Sequence, residues 1–144
     1  MIEVWADGAS RKSTGEAGAG TVIRFQDGNL LNLYRYLGEY SNNYAELAAV
    51  GTGLQYLLNQ GLQNESVVVW SDSRYAIGVL TGKLNARENL VLIRQIQVLI
   101  AQFPRLKFRW VRGHSGNAMN DLADNLASLA IFEERARLSR PSED

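Results

Sequence analysis

Carboxylates stand where the sequence predicts elements to begin or end: Asp7, Glu46, Asp72, and the pair Asp121 and Asp124. Acids that end strands or begin helices can converge at one rim of a sheet. Converged, they repel and raise each other's pKa unless cations neutralise them. Hard divalent cations such as Mg²⁺ and Mn²⁺ take carboxylate oxygens, and two of them about 3.5–4 Å apart clamp an in-line phosphoryl displacement. The lone histidine, His114, lies in Gly113-His114-Ser115-Gly116, a loop and not an apolar helix face. An imidazole beside a metal site can carry a proton to or from water or a leaving oxygen.

Each acid also has a purely structural reading. Asp7-Gly8 reads as a turn pair closing the first strand. Asn43-x-x-Glu46 has the spacing of a capping box, and Ser71 or Asp72 suits a helix cap. Asp121 and Asp124 complement the dipole near a helix N-terminus. Position alone leaves both readings open. The glycines at 15, 18 and 20 make neither a Walker loop nor a dinucleotide fingerprint. No Gly-Lys-Ser/Thr follows them, and a hairpin strand follows in place of a helix.

The elements that must position these groups follow from periodicity. Met1 to Ala6 reads as a strand, and Asp27-Gly28 between Thr21–Phe25 and Leu30–Tyr34 signals a hairpin. Residues 43–60 carry a helical stripe of Leu47, Val50, Leu54, Leu57 and Leu58, stopped by Gly61. Ser66 to Trp70 reads as a buried strand, followed by a short helix reaching about Leu80. A core-packing helix is predicted over 88–102, built on Leu90-Val91-Leu92-Ile93, Ile96 and Val98-Leu99-Ile100. Arg105 to Val111 alternates as a half-buried edge strand, and a last helix spans roughly Met119 to Leu138. Three strands, helix, strand, helices, strand, helix make an α/β mixed sheet with helices against it. A single domain over 1–138 is expected, with 139–144 a disordered polar tail.

Composition narrows the chemistry. The 144 residues hold no cysteine, which excludes disulfides, thiolate zinc sites and Cys nucleophiles. No apolar run reaches the roughly 18 residues of a membrane span, and the N-terminus lacks signal-peptide features, so a cytoplasmic protein is expected. The 15 basic and 15 acidic residues cancel, which argues at first against nucleic acid. The distribution is uneven, however: net −2 over 1–88, +5 over 89–120 and −3 over 121–144. The middle block holds Arg94, Arg105, Lys107, Arg109 and Arg112 with no acid. Arginine suits bidentate contact with phosphate, although such a block also suits a solvated surface.

Taken together, VWADGAS, SNNYAEL, VVVWSDSRYAI and VRGHSGNAMNDLADNLA, running from Val4 to Ala127 in this order, resemble type 1 ribonuclease H. The resemblance implies the ribonuclease H-like fold, with three antiparallel strands and two more parallel to the first. It implies endonucleolytic hydrolysis of the RNA strand of RNA–DNA hybrids, leaving 5′-phosphate and 3′-hydroxyl ends. The implied metal ligands are Asp7, Glu46, Asp72 and Asp124, holding two Mg²⁺ or Mn²⁺ ions, with Asp121 a bystander. His114 matches the histidine associated with proton transfer and product release. Ser10, Ser13, Asn42 and Asn43 match positions that contact 2′-hydroxyls, with Asn89 beside them, and Ser41 matches a phosphate pocket. Tyr75 matches an aromatic along the DNA strand's channel.

Several features depart from that pattern. The interval from Asp72 to His114 is too short for the basic protrusion many members carry, and Lys83 stands where tryptophan is frequent. Glu39 occupies the place of a frequent phosphate-pocket arginine, and Ser13 that of a common asparagine. The +5 block, Arg112 above all, is expected to substitute in part for the protrusion. A DNA-cutting nuclease of the same superfold, a retroelement domain and a catalytically silent binding module are the competing readings. The 41–43 stretch and the His114 loop favour the hybrid, the start at Met1 favours a freestanding protein, and the four acids favour an active enzyme. A monomer that needs no protein partner is expected.

Overall fold

The computed structural model describes residues 1–113 and 116–139, so His114, Ser115 and 140–144 lie outside the described residues. The elements are β1 (Ile2–Ser10), β2 (Glu16–Arg24), β3 (Leu30–Glu39), α1 (Asn42–Asn59), β4 (Val67–Ser71), α2 (Arg74–Thr81), α3 (Leu90–Ile100), β5 (Leu106–Trp110) and α4 (Ala118–Leu138). The sheet order is β3-β2-β1-β4-β5. β1, β2 and β3 are antiparallel, while β4 runs parallel to β1 and β5 parallel to β4. This is the mixed sheet that the element order implied.

Alternation along β1 divides the core. Ile2, Val4 and Ala6 join α1, α2 and α3 on one face, with Leu47, Leu54, Val79, Ile93 and Ile96. Trp5 faces the other way, joining Val22, Ala123 and Leu126 beneath α4. α4 lies across β1, β2 and β3, and the approach is close. A Cβ at Gly18 would stand 2.2 Å from the Ala127 carbonyl oxygen, and one at Gly20 would stand 2.0 Å from that of Ala123. Gly18 and Gly20, two of the glycines that make no phosphate loop, are therefore the bed of a helix.

The turn reading of Asp7-Gly8 is overturned. β1 runs on to Ser10, pairing Asp7 with Gly20 and Gly8 with Ala19. Gly8 is needed for contact: a Cβ there would lie 2.5 Å from the backbone of Ala45 and Glu46. β2 accordingly starts at Glu16 and β3 continues to Glu39, both longer than periodicity indicated. Antiparallel ladder bonds reward extension of small residues that carry little strand preference alone.

Helix caps also differ from expectation. Ser41 caps α1 by accepting the Tyr44 N–H at 3.1 Å, so Asn43-x-x-Glu46 is not a capping box. Ser73 caps α2 by accepting the Ala76 N–H at 3.0 Å, in place of Ser71 or Asp72. α3 is shorter than predicted and only Ile93 and Ile96 are buried, while Leu90, Val91 and Val98 are exposed. It packs on α1 alone among long helices, and one contact face cannot cover apolar residues on all sides. At the far end, Ser139 is the C-cap of α4, its hydroxyl donating to the Arg135 carbonyl at 3.1 Å. The remainder of the predicted tail lies outside the described residues.

The tight seat of α4 gives a direct test. Gly20→Ala should lower the urea midpoint by the equivalent of about 2 kcal/mol, since overpacking against backbone costs roughly 1–3 kcal/mol. An unchanged midpoint would contradict the close approach.

Candidate active site

Three chain segments bring acids together at one end of the central strands. Asp7 lies within β1, where the Gly8 N–H donates to its Oδ1 at 2.9 Å. The Gly8–α1 contact places Glu46 beside it. β4 lies parallel to β1 with Ser71 opposite Ala6, so Asp72, one residue past the strand, reaches the same rim. Because Ser73 takes the capping role, Asp72 is not the α2 cap. Ligand oxygens of Asp7, Glu46 and Asp72 all lie within 4.8 Å of one another.

The cluster is electrostatically costly. Asp7 and Glu46 are only 5% and 4% exposed. Burial pushes the Asp7 carboxyl up to about 7, with Asp72 and Asp124 adding to the rise and a hydrogen bond with Glu46 opposing it. Glu46 is raised well above the usual carboxylate range, first by burial and then by the charge of Asp7. Its Oε2 is buried without a hydrogen-bond partner. An orphaned acceptor among hard oxygen donors fits a divalent cation. Asp124, in the second turn of α4, is near enough to act on Asp7 but stands outside the 4.8 Å group. Asp121 sits in the first turn of α4. A Cβ at Gly113 would lie 2.6 Å from Asp72 Oδ2, so that loop's backbone passes against the site. His114 lies outside the described residues.

The other predicted site residues fall into two groups and one neighbour. Ser10 ends β1 and its hydroxyl donates to the Tyr40 carbonyl at 3.1 Å. The Tyr40 N–H bonds to the Gly15 carbonyl, tying the turn that contains Ser13 to the start of α1. Tyr40 and Tyr44 stack at 3.9 Å and fasten Ser41, Asn42 and Asn43 between them. In the second group, Asn89 Nδ2 donates to the Tyr75 hydroxyl at 3.2 Å. Asn89 adopts a left-handed φ of 60° ahead of α3, with no side-chain cap bond. Arg112 is exposed next to Gly113. Sequence reasoning missed the Tyr40–Tyr44 stack and also Arg74 and Trp110. The guanidinium of Arg74 lies 4.3 Å from the Trp110 ring centroid. Aromatics four apart around a Ser-Asn-Asn cap were a readable signal, whereas the Arg74–Trp110 pair joins segments far apart in sequence.

The family model of RNase H matches residues 1–132. The chain belongs to the RNase H family. Among similar proteins, ribonuclease H of Bordetella avium is 30% identical over 143 residues, covering 91% of this chain and 90% of that protein. Ribonuclease H of Legionella pneumophila strain Corby is also 30% identical, over 146 residues, with coverage of 92% and 97%. A crystal structure of LC11-RNase H1 in complex with an RNA/DNA hybrid superposes with a TM-score of 0.81 at 28% identity, covering 94% and 99% of the two chains. These relatives make the chain a type 1 ribonuclease H, an enzyme of the hydrolase class, as the sequence motifs implied. In this ribonuclease H, α2 ends at Thr81 and α3 begins at Leu90, joined by a short connection. No described helix is long and apolar enough to cross a membrane.

The raised acids predict an inverted pH dependence for the metal-free protein. An acid at 3.8 unfolded and about 7 folded holds more protons in the folded state between those values. Its contribution to stability is therefore full below about pH 4 and lost as pH rises through 7. Asp7→Asn should raise the melting temperature in chelator at pH 8 by about 3 °C or more, with the gain vanishing at pH 4. A melting temperature unaffected by the substitution at pH 8 would refute the strain.

Proposed function

We propose that this ribonuclease H hydrolyses the RNA strand of RNA–DNA hybrids, using two divalent ions and leaving 5′-phosphate and 3′-hydroxyl ends. The carrying observation is the buried Asp7-Glu46-Asp72 cluster, whose raised carboxyls and orphaned oxygen call for cations. The RNA/DNA hybrid held by the similar LC11-RNase H1 supports the substrate. Asp7, Glu46, Asp72 and Asp124 would hold the ions. When bound, Mg²⁺ or Mn²⁺ supplies the charge that lowers the pKa of an attacking water and stabilises the departing 3′-oxygen. His114 carries a proton at that oxygen or the water.

Recognition of RNA falls to the groups that read 2′-hydroxyls. Ser10, Ser13, Asn42 and Asn43 supply them from one connected cluster, and Ser41 joins them at the helix N-terminus, which favours phosphate. Tyr75, bonded to Asn89, packs along the DNA strand. Arg112 and the exposed Lys107 and Arg109 of edge strand β5 supply the backbone attraction. On this reading one domain over 1–138 acts as a monomer. A cysteine-free chain suits the cytoplasm.

End-labelled RNA–DNA hybrid, duplex RNA, single-stranded RNA and duplex DNA, each tested with Mg²⁺, Mn²⁺ and chelator, separate this reading from its competitors. The hybrid alone should be cut efficiently, in its RNA strand and only with metal. Asp72→Asn should lower the rate by about 10³-fold. Metal-independent cutting, or equal cutting of duplex RNA, would overturn the assignment. Neutralising Arg105, Lys107, Arg109 and Arg112 together should weaken hybrid binding and flatten its salt dependence by about 0.7–0.9 in log–log slope per lost phosphate contact. An unchanged slope would remove the basic block from the interface.

A further inference from the structure

The carbonyl groups at the C-terminal end of β4 are held from β5. At the end of the ladder, Ser71 pairs with Trp110, and the Val111 N–H donates to the Ser71 carbonyl at 2.9 Å. Asp72 lies one residue past the strand and beyond the backbone ladder. Its carbonyl is instead taken by a side chain, the Trp110 indole N–H, at 3.1 Å. The ring is then covered by the Arg74 guanidinium, from the first residue of α2. Arg74, Trp110 and Asp72 thus close a small circuit across β4, α2 and β5.

Trp110 is 43% exposed, so burial of apolar surface does not account for its placement. Its neighbours in the strand, Leu106 and Phe108, do pack on the core. What distinguishes Trp110 is its pair of directed contacts, one to a carbonyl and one to a cation. A guanidinium over an indole face is a favourable pairing that also restricts the ring's rotation. The backbone at Asp72 turns from strand to helix, and a donor fixed on its carbonyl limits how far the carboxylate can swing.

We propose that Trp110 is a positioning residue for Asp72, locked in its orientation by Arg74. The proposal rests on the catalytic reading of Asp72 given above. Trp110 touches the backbone of the acid and not the reacting atoms. Its loss should therefore change how well the carboxylate meets a cation more than how well the protein grips a duplex.

Trp110→Phe keeps a ring for Arg74 but removes the N–H, while Arg74→Gln removes the exposed cation and leaves the N–H. Calorimetric titration with Mn²⁺ and steady-state cleavage of hybrid would be measured for each variant and for Asp72→Asn. Trp110→Phe should weaken Mn²⁺ binding and lower kcat by about tenfold each, as outer contacts to metal ligands do. KM for the hybrid should change less than twofold. Arg74→Gln should act in the same direction more weakly, and add little when combined with Trp110→Phe. Wild-type Mn²⁺ affinity and kcat in a folded Trp110→Phe would overturn the proposal. So would a raised KM at constant kcat in either variant, which would make the pair a nucleic-acid contact. If Trp110→Phe fails to fold by circular dichroism, unchanged Mn²⁺ affinity in Arg74→Gln has the same force. Full activity of Asp72→Asn would instead remove the catalytic reading itself.

Discussion

Three carboxylates in mutual reach, two of them almost wholly buried, are the constraint around which this molecule is built. Left to themselves they would separate or protonate, because burial and like charge both oppose ionisation. They stay together because each is fixed through its backbone. Asp7 is locked within a strand, paired with Gly20 of β2 one residue past the end of the ladder with β4. Glu46 rides on a helix whose backbone rests on Gly8. Asp72 follows a buried parallel strand and is held by β5 at its carbonyl. The energetic strain is the property that makes the cluster a cation site, since ions convert repulsion into coordination.

Neutral overall charge takes on meaning in this setting. An acidic centre and an arginine-rich stretch cancel in the sum while standing at different places in the molecule. The exposed side of β5 carries Lys107 and Arg109 on a sheet edge, where charge also discourages strand addition. The cluster of Ser10, Ser13 and residues 41–43 carries no acid of its own, although Glu39 stands just before it at the end of β3.

The order of elements was legible because it depends on local signals, and three of the acids picked from their positions do meet in the fold. Periodicity marked α1, and a β-branched run marked β4. The failures share one cause. Asp7-Gly8 looks like a turn when read locally, yet pairing with β2 extends it as strand. Asn43 and Glu46 have capping spacing, yet Glu46 is drawn away to Asp7 and Ser41 takes the cap. The apolar run of α3 looks like core, yet only the face toward α1 and α2 is covered.

By itself the sequence determined which family the chain joins and which helices and strands form, since these depend on residue type and spacing along the chain. Tertiary structure alone decided that Gly8 is a contact and not a turn, that Ser41 and Ser73 cap while Glu46 and Asp72 do not, and that Trp110 and Arg74 meet at the site. Those outcomes depend on distances between segments far apart in the chain. Local preference cannot specify such distances; packing of the sheet against its helices does.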